Sequence, residues 1–164
     1  MALSDLILLE TDHTRLTSTL ERLKGDSNAK VVFLIDKNGQ QFASAGDMSG
    51  LDPTSLASLT AGNVAATDGL AKLIGEREFS ILFHEGVHDN LHINVVAGRA
   101  ILVVLFDERS SLGLVRLRVK KASADLTSIL DEIVTRSHAQ HAAAFGSNAP
   151  FAEITDEDID ALFN

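Results

Sequence analysis

Cysteine is absent from the 164 residues, so neither disulfides nor thiolate chemistry is available, and the chain suits a reducing compartment. A secretory leader is not expected either. The amino-terminal MALSDLILLETD carries a short apolar patch without the basic start or the small-residue cleavage site of a signal. The most apolar run, INVVAGRAILVVLF, is interrupted by Gly98 and Arg99 and is too short to cross a bilayer. The expectation is a cytoplasmic chain with no membrane insertion. Positive charge is scarce: 14 Lys and Arg face 23 Asp and Glu, a formal net charge of −9. That balance argues against nucleic acid as a partner, because phosphate binding needs clustered Lys and Arg.

Catalytic signatures are missing too. There is no GxxxxGK[ST] loop, so the chain is not itself a P-loop GTPase, and GxGxxG is absent. No Ser, His and acid group into a triad. One motif matches a zinc-peptidase pattern: His84-Glu85-Gly86-Val87-His88 reads HExxH, with His92 downstream. It works only on a helix, where positions i and i+4 share a face. Gly86 and Asp89-Asn90 instead suggest a bend between two strands, with the histidines as surface polar residues. The expectation is no catalytic residue, no metal and no cofactor of its own.

What is present is a chain long enough for one domain and a tail, with 45% hydrophobic residues. Leu16, Leu20 and Leu23 repeat at helical spacing over residues 10–24, a first amphipathic helix ended by Gly25 and exposing Thr14, Arg15 and Arg22. Val31 to Ile35, an Asn38-Gly39 turn and a stretch through Phe42 give a strand hairpin. Asp52-Pro53-Thr54 breaks the chain and starts a second helix. Extended stretches follow at 79–84, 91–97 and 100–106, the last two joined at Gly98-Arg99. Residues 110–136 carry Leu112, Val115, Val119, Ala122, Leu126, Ile129 and Ile133 on three-four spacing and read as a long helix, although Val115, Leu117 and Val119 alternate with Arg116 and Arg118 as in a strand. The order is helix, two strands, helix, three strands, helix: an α+β domain with an antiparallel sheet and helices on its faces.

The second helix, residues 54–75, has two contrasting sides. At about 100° per residue, Leu56, Leu59, Ala66, Leu70, Leu73 and Ile74 gather on one side with Asn63 among them. This side is expected to form the core. Ser58, Ala61, Gly62, Ala65 and Gly69 form a strip of small residues. A glycine within a helix sacrifices roughly 1 kcal/mol relative to alanine, and a solvated face would carry Lys, Glu and Gln instead. Either a second helix or partner protein rests on this strip, or a loop of the same chain covers it.

Residues 137–150, SHAQHAAAFGSNAP, are small and polar and read as a linker after a domain of residues 1–136. Residues 151–164 hold Glu153, Asp156, Glu157, Asp158 and Asp160 without Lys or Arg. Thr155 is a good N-cap, acids fill the first turn, and Ile159, Leu162 and Phe163 make an apolar face. With Phe151 and Ile154 they read as a docking segment that orders on a partner, or else as a frayed end.

SLTAGNVAATDGLAKLIG, FHEG, LVVLFDERSSLGLVRLRVKKA and the tail PFAEITDEDIDALF together resemble the Roadblock family, in particular its partners of bacterial polarity GTPases. The resemblance covers nearly the whole chain. It implies a Roadblock-type α-ββ-α-βββ-α sandwich, with a five-stranded antiparallel sheet and helices on both faces. A homodimer is implied as well, formed by the middle helix and the first strand of the three-strand unit. It further implies a GTPase-activating protein for an MglA-like, small Ras-like GTPase, acting at a cell pole. Such a protein repositions the GTPase's own groups without an arginine finger, and GTP and magnesium belong to the partner. Arg77, Arg99 and Arg109 stand in no loop that advertises insertion. The strip, Ala65 and Gly69 first, is the implied contact, with Thr14, Arg15 and Lys121 as further partner-facing positions. Phe151, Ile154, Ile159, Leu162 and Phe163 match a segment linked to nucleotide exchange. The other reading is a Roadblock-type dimeric scaffold with no effect on GTP turnover.

Overall fold

The computed structural model describes residues 3–146 and residue 161. After a short 3-10 turn, Leu3–Asp5, come α1 (Glu10–Ser27), β1 (Val31–Asp36), β2 (Gln41–Gly46), α2 (Pro53–Leu73), β3 (Ile81–Glu85), β4 (Asn90–Val96), β5 (Ala100–Phe106) and α3 (Leu112–Gly146). The strands form one antiparallel sheet in the order β2-β1-β5-β4-β3. This is the expected α-ββ-α-βββ-α order.

The two central strands explain their own composition. β1 and β5 are buried on both faces, so their sequences read as unbroken apolar runs and not as alternation. Val32 and Leu34 of β1, with Leu102 and Val104 of β5, face α1 and α3. Val31, Phe33 and Ile35, with Ile101 and Val103, face α2. Side-chain alternation along each strand thus divides one sheet between two cores.

On the first face α1 buries Leu16, Leu20 and Leu23, and α3 buries Val115, Val119, Ala122, Leu126, Ile129 and Ile133, at the spacings expected. The Asp12 carboxylate accepts from the Leu9 N–H at 2.8 Å and forms an ion pair with Arg136 of α3. Together these bonds fix the start of α1 to the far half of α3. The end of α1 is not Gly25. The helix continues to Ser27 and closes at Asn28, whose φ of 53° is left-handed, with bonds back to Lys24 and Gly25.

Two further boundaries move. The bend between β4 and β5 is Ala97-Gly98, with φ of 53° and 63°, closed by Arg99 N–H to Val96 O at 3.0 Å, one residue earlier than Gly98-Arg99. The stretch expected as a linker from residue 137 is helical through Gly146. Its alanines favour a helix that has already been nucleated, and Ser137, fully buried, accepts from the Ile7 N–H at 3.1 Å. Residues 147–150 and the segment containing Phe151, Ile154, Ile159, Leu162 and Phe163 lie outside the described residues.

His92 of β4 is buried beneath α3, and neither ring nitrogen has a hydrogen-bond partner among the described residues. Burial, and secondarily the charge of Arg116, hold its pKa below the ordinary imidazole value. The unfolded chain therefore binds a proton near pH 6.5 that the native state resists. Stability from this group is complete above that pH and declines as the pH falls through it. Urea unfolding at pH 7.5 and 5.5 is expected to show a lower unfolding free energy at pH 5.5, and His92→Leu is expected to flatten the difference.

Candidate protein interaction surfaces

The side of α2 that meets the sheet is made of Ala57, Thr60, Ala61, Val64 and Ala71. Opposite them stand Phe33, Ile35, Ile93, Ile101 and Val103. Large sheet residues fill the interlayer space, so only small helix residues fit against them at native packing density. The expectation that the leucine side forms the core is therefore incorrect. Leu59 is 75% exposed, Leu70 58%, Leu73 84% and Ile74 69%, and Ala66 is exposed as well. Of that set Leu56 is partly buried, and Asn63 reaches the edge strand, donating from its side-chain amide to His84 Nε2 at 2.7 Å.

The small strip is also redefined. Ala61 is buried at 7% exposure and packs on the sheet, whereas Ser58, Gly62, Ala65 and Gly69 remain exposed. A Cβ built on Gly62 or Gly69 would meet nothing within 4 Å. Among the described residues, the Ser58 end is the part of the strip that is approached. There Gly39, at φ 87°, brings the β1–β2 turn so close that a Cβ on it would lie 3.1 Å from Ser58 Cα. Two surfaces thus run side by side along α2. A leucine ridge faces out and leans toward β3, and a bare strip flanks the β1–β2 turn. β3 is an edge of the sheet, with Leu82 and His84 on the α2 side.

Thr14, Arg15 and Lys121 are exposed on the other face of the sheet. Thr14 and Arg15 border a groove of about 400 Å³ between α1 and α3. Arg15 pairs with Glu132 at 2.6 Å, a hydrogen bond that raises the guanidinium pKa and lowers the carboxyl. Lys121 lies in a neighbouring depression with Arg22, Arg118 and Asp125. The structure therefore separates these three residues from the α2 strip by the thickness of the sheet. A cavity of about 570 Å³ is lined by Lys24, Lys30 and Arg109 together with Asp47 and Asp89. Its charges are largely matched: Lys30 binds Asp89 at 3.0 Å and Arg109 folds back on Asp107 at 3.0 Å.

The HExxH segment is a β-hairpin. His84 faces α2, whereas His92 pairs with Phe83 on the α1–α3 side. The two rings lie on opposite faces of the sheet and cannot share an ion. Among the described residues no group of three His, Asp or Glu could hold a metal, and no described helix is long and apolar enough to cross a membrane.

A three-layer domain whose middle helix presents both an exposed leucine ridge and a backbone-close strip is a protein-binding module. The chain belongs to the Roadblock/LC7 family, whose domain matches residues 16–106. It is similar to Myxococcus xanthus MglB, with 58% identity over 78% of this chain and 96% of that one, at a TM-score of 0.74. It is likewise similar to the gliding protein MglB of Thermus thermophilus, with 35% identity, 77% and 96% coverage and a TM-score of 0.72. A further MglB, described as having a tetrameric arrangement, shares 34% identity over 78% and 96% at 0.72. No curated protein matches the chain.

Since no described residue would meet a Cβ at Gly62 or Gly69, the packing among the described residues does not require glycine there. Gly62→Ala and Gly69→Ala are each expected to stabilise the domain by roughly 1 kcal/mol, read from urea midpoints. A loss of stability would place an unseen neighbour on the strip.

Proposed function

We propose that the chain is a homodimeric regulator of an MglA-like, small Ras-like GTPase, accelerating its GTP hydrolysis from a protein surface without an active site of its own. The observation that carries this reading is the unsealed strip of Ser58, Gly62, Ala65 and Gly69 beside an unsealed leucine ridge, in a chain 58% identical to an MglB. The two surfaces suit two different contacts. Leu59, Leu70, Leu73 and Ile74 together form an apolar area of the kind that marks a stable subunit interface. The adjacent edge strand β3 can pair with its symmetry mate, so that two sheets join. The strip on the other shoulder then stays open for the GTPase, whose backbone can approach closely where no side chain intervenes.

Catalysis remains with the partner. Phosphoryl transfer depends on positioning and charge neutralisation around the γ-phosphate, and a surface that binds the hydrolysis-competent conformer more tightly raises its population. Arg109 is held by Asp107 through both its Nε and Nη2, which supports action without an inserted arginine. The acidic segment containing Phe151, Ile154, Ile159, Leu162 and Phe163 is proposed to contact the GTPase separately and to assist exchange.

Single-turnover GTP hydrolysis by the cognate GTPase is expected to rise at least ten-fold with this protein and to return to the intrinsic rate with Ala65→Arg/Gly69→Arg, whose circular dichroism stays native. No acceleration by the unmodified chain would leave a dimeric scaffold instead. Leu70→Asp/Leu73→Asp is expected to give a folded monomer in sedimentation velocity, and a persistent dimer would move the interface elsewhere.

A further inference from the structure

The chain entering α1 leaves three consecutive aliphatic side chains in water. Ile7, Leu8 and Leu9 are 40%, 38% and 43% exposed, yet their backbone is fixed at both ends. The Ile7 N–H donates to Ser137 Oγ at 3.1 Å, the Ile7 carbonyl accepts from Arg136, and the Leu9 N–H donates to the Asp12 carboxylate at 2.8 Å. A fixed backbone bearing uncovered apolar side chains is a preformed ledge, because little order remains to be imposed when it is covered. α3 prolongs it. Ser137 meets Ile7, and at three-four spacing His141, Ala144 and Phe145 follow on the same side of the helix, with Phe145 74% exposed.

The chain that leaves α3 carries a matching surface. At about 100° per residue a helix begun at Thr155 gathers Ile159, Leu162 and Phe163 on one side and turns Glu157 and Asp160 away. Ala161, which falls opposite the apolar side, is helical and exposed. Length decides which copy supplies this surface. Gly146, Asn148 and Pro150 break the helix and permit a reversal, and the stretch 147–154 is within the length that joins antiparallel helices, about 2 to 8 residues. From Thr155 to Phe163 a helix rises about 12 Å, and from Gly146 back to Ser137 α3 descends about 13 Å. An antiparallel return therefore brings Leu162 and Phe163 level with residues 7–9 and leaves Phe151 and Ile154 at the turn, beside Phe145. So short a connection holds the segment beside its own α3 at an effective concentration of roughly millimolar, above that of a free second copy in dilute solution. Between Glu132 and Glu153 the sequence has no acid, so nothing on the outer turns of α3 repels it.

We infer that residues 151–164 fold back on their own chain as the second arm of a helical hairpin, seating Ile159, Leu162 and Phe163 against Ile7, Leu8, Leu9 and the outer turns of α3. The inference concerns the isolated chain and does not rest on the GTPase reading. A seated segment hides the side chains that another protein would grasp, so any partner of this segment competes with the entry to α1.

The absence of cysteine makes the test direct. Leu8→Cys/Leu162→Cys in the full-length chain, without GTPase, is oxidised in dilute solution beside Lys72→Cys/Leu162→Cys, whose first position is exposed on α2. The Leu8 pair is expected to close within single chains at least ten-fold faster, read as a fast-migrating monomer on non-reducing electrophoresis. Equal rates for the two pairs, or disulfides that join two copies, would overturn the proposal. In a second measurement, hydrogen exchange of residues 155–163 is followed in the unmodified chain and in Leu8→Ser/Phe145→Ser, whose circular dichroism stays native. At least ten-fold faster exchange in the variant supports the ledge, and an unchanged rate overturns it.

Discussion

The close seat of α2 on the sheet is the constraint from which the functional surfaces follow. Phe33, Ile35, Ile93, Ile101 and Val103 fill the space beneath the helix, so the residues that meet them must be small, and Ala57, Ala61, Val64 and Ala71 are. With the small face turned inward, the leucines have nowhere to go but out. The exposed ridge is thus the geometric complement of a well-packed interior. A bulkier residue at Ala57 or Ala61 would lift the helix and alter both sides at once.

The other layer obeys the opposite rule. There α1 and α3 contribute Leu16, Leu20, Leu23, Leu126, Ile129 and Ile133 against Val32, Leu34, Leu102 and Val104, large against large, and two helices cover what one covers on the far side. The sheet therefore has a thick, closed face and a thin, open one. The closed face carries charged grooves and the open one apolar relief.

Most of the architecture was legible in the residues. The three-four spacing of Leu16, Leu20 and Leu23, and of Val115 through Ile133, reported both the helices and their buried sides, because in that layer the bulky residues are the core. The unbroken apolar runs of β1 and β5 reported strands covered twice. In α2 the same logic failed: hydrophobicity records that a side chain avoids water, not whether its cover comes from its own chain or from another. Leu59, Leu70 and Leu73 carry the pattern of a core and the exposure of an interface. The bare strip was legible because glycine in a helix is costly wherever it points, yet Ala61 could not be told from Ala65 without knowing where the sheet lies. Small residues misled again at SHAQHAAAFG, where alanine reads as a spacer but continues a helix that is already turning.

That continuation has a mechanical side. Ser137 is the last buried residue of α3, and from there the helix runs on to Gly146, exposed but for the half-buried His141, for about 13 Å at helical rise. It is a cantilever, anchored near its root where Arg136 grips Asp12. A pull on its far end would be delivered as torque to the first turn of α1, so a load applied beyond Gly146 would register near the start of the polypeptide.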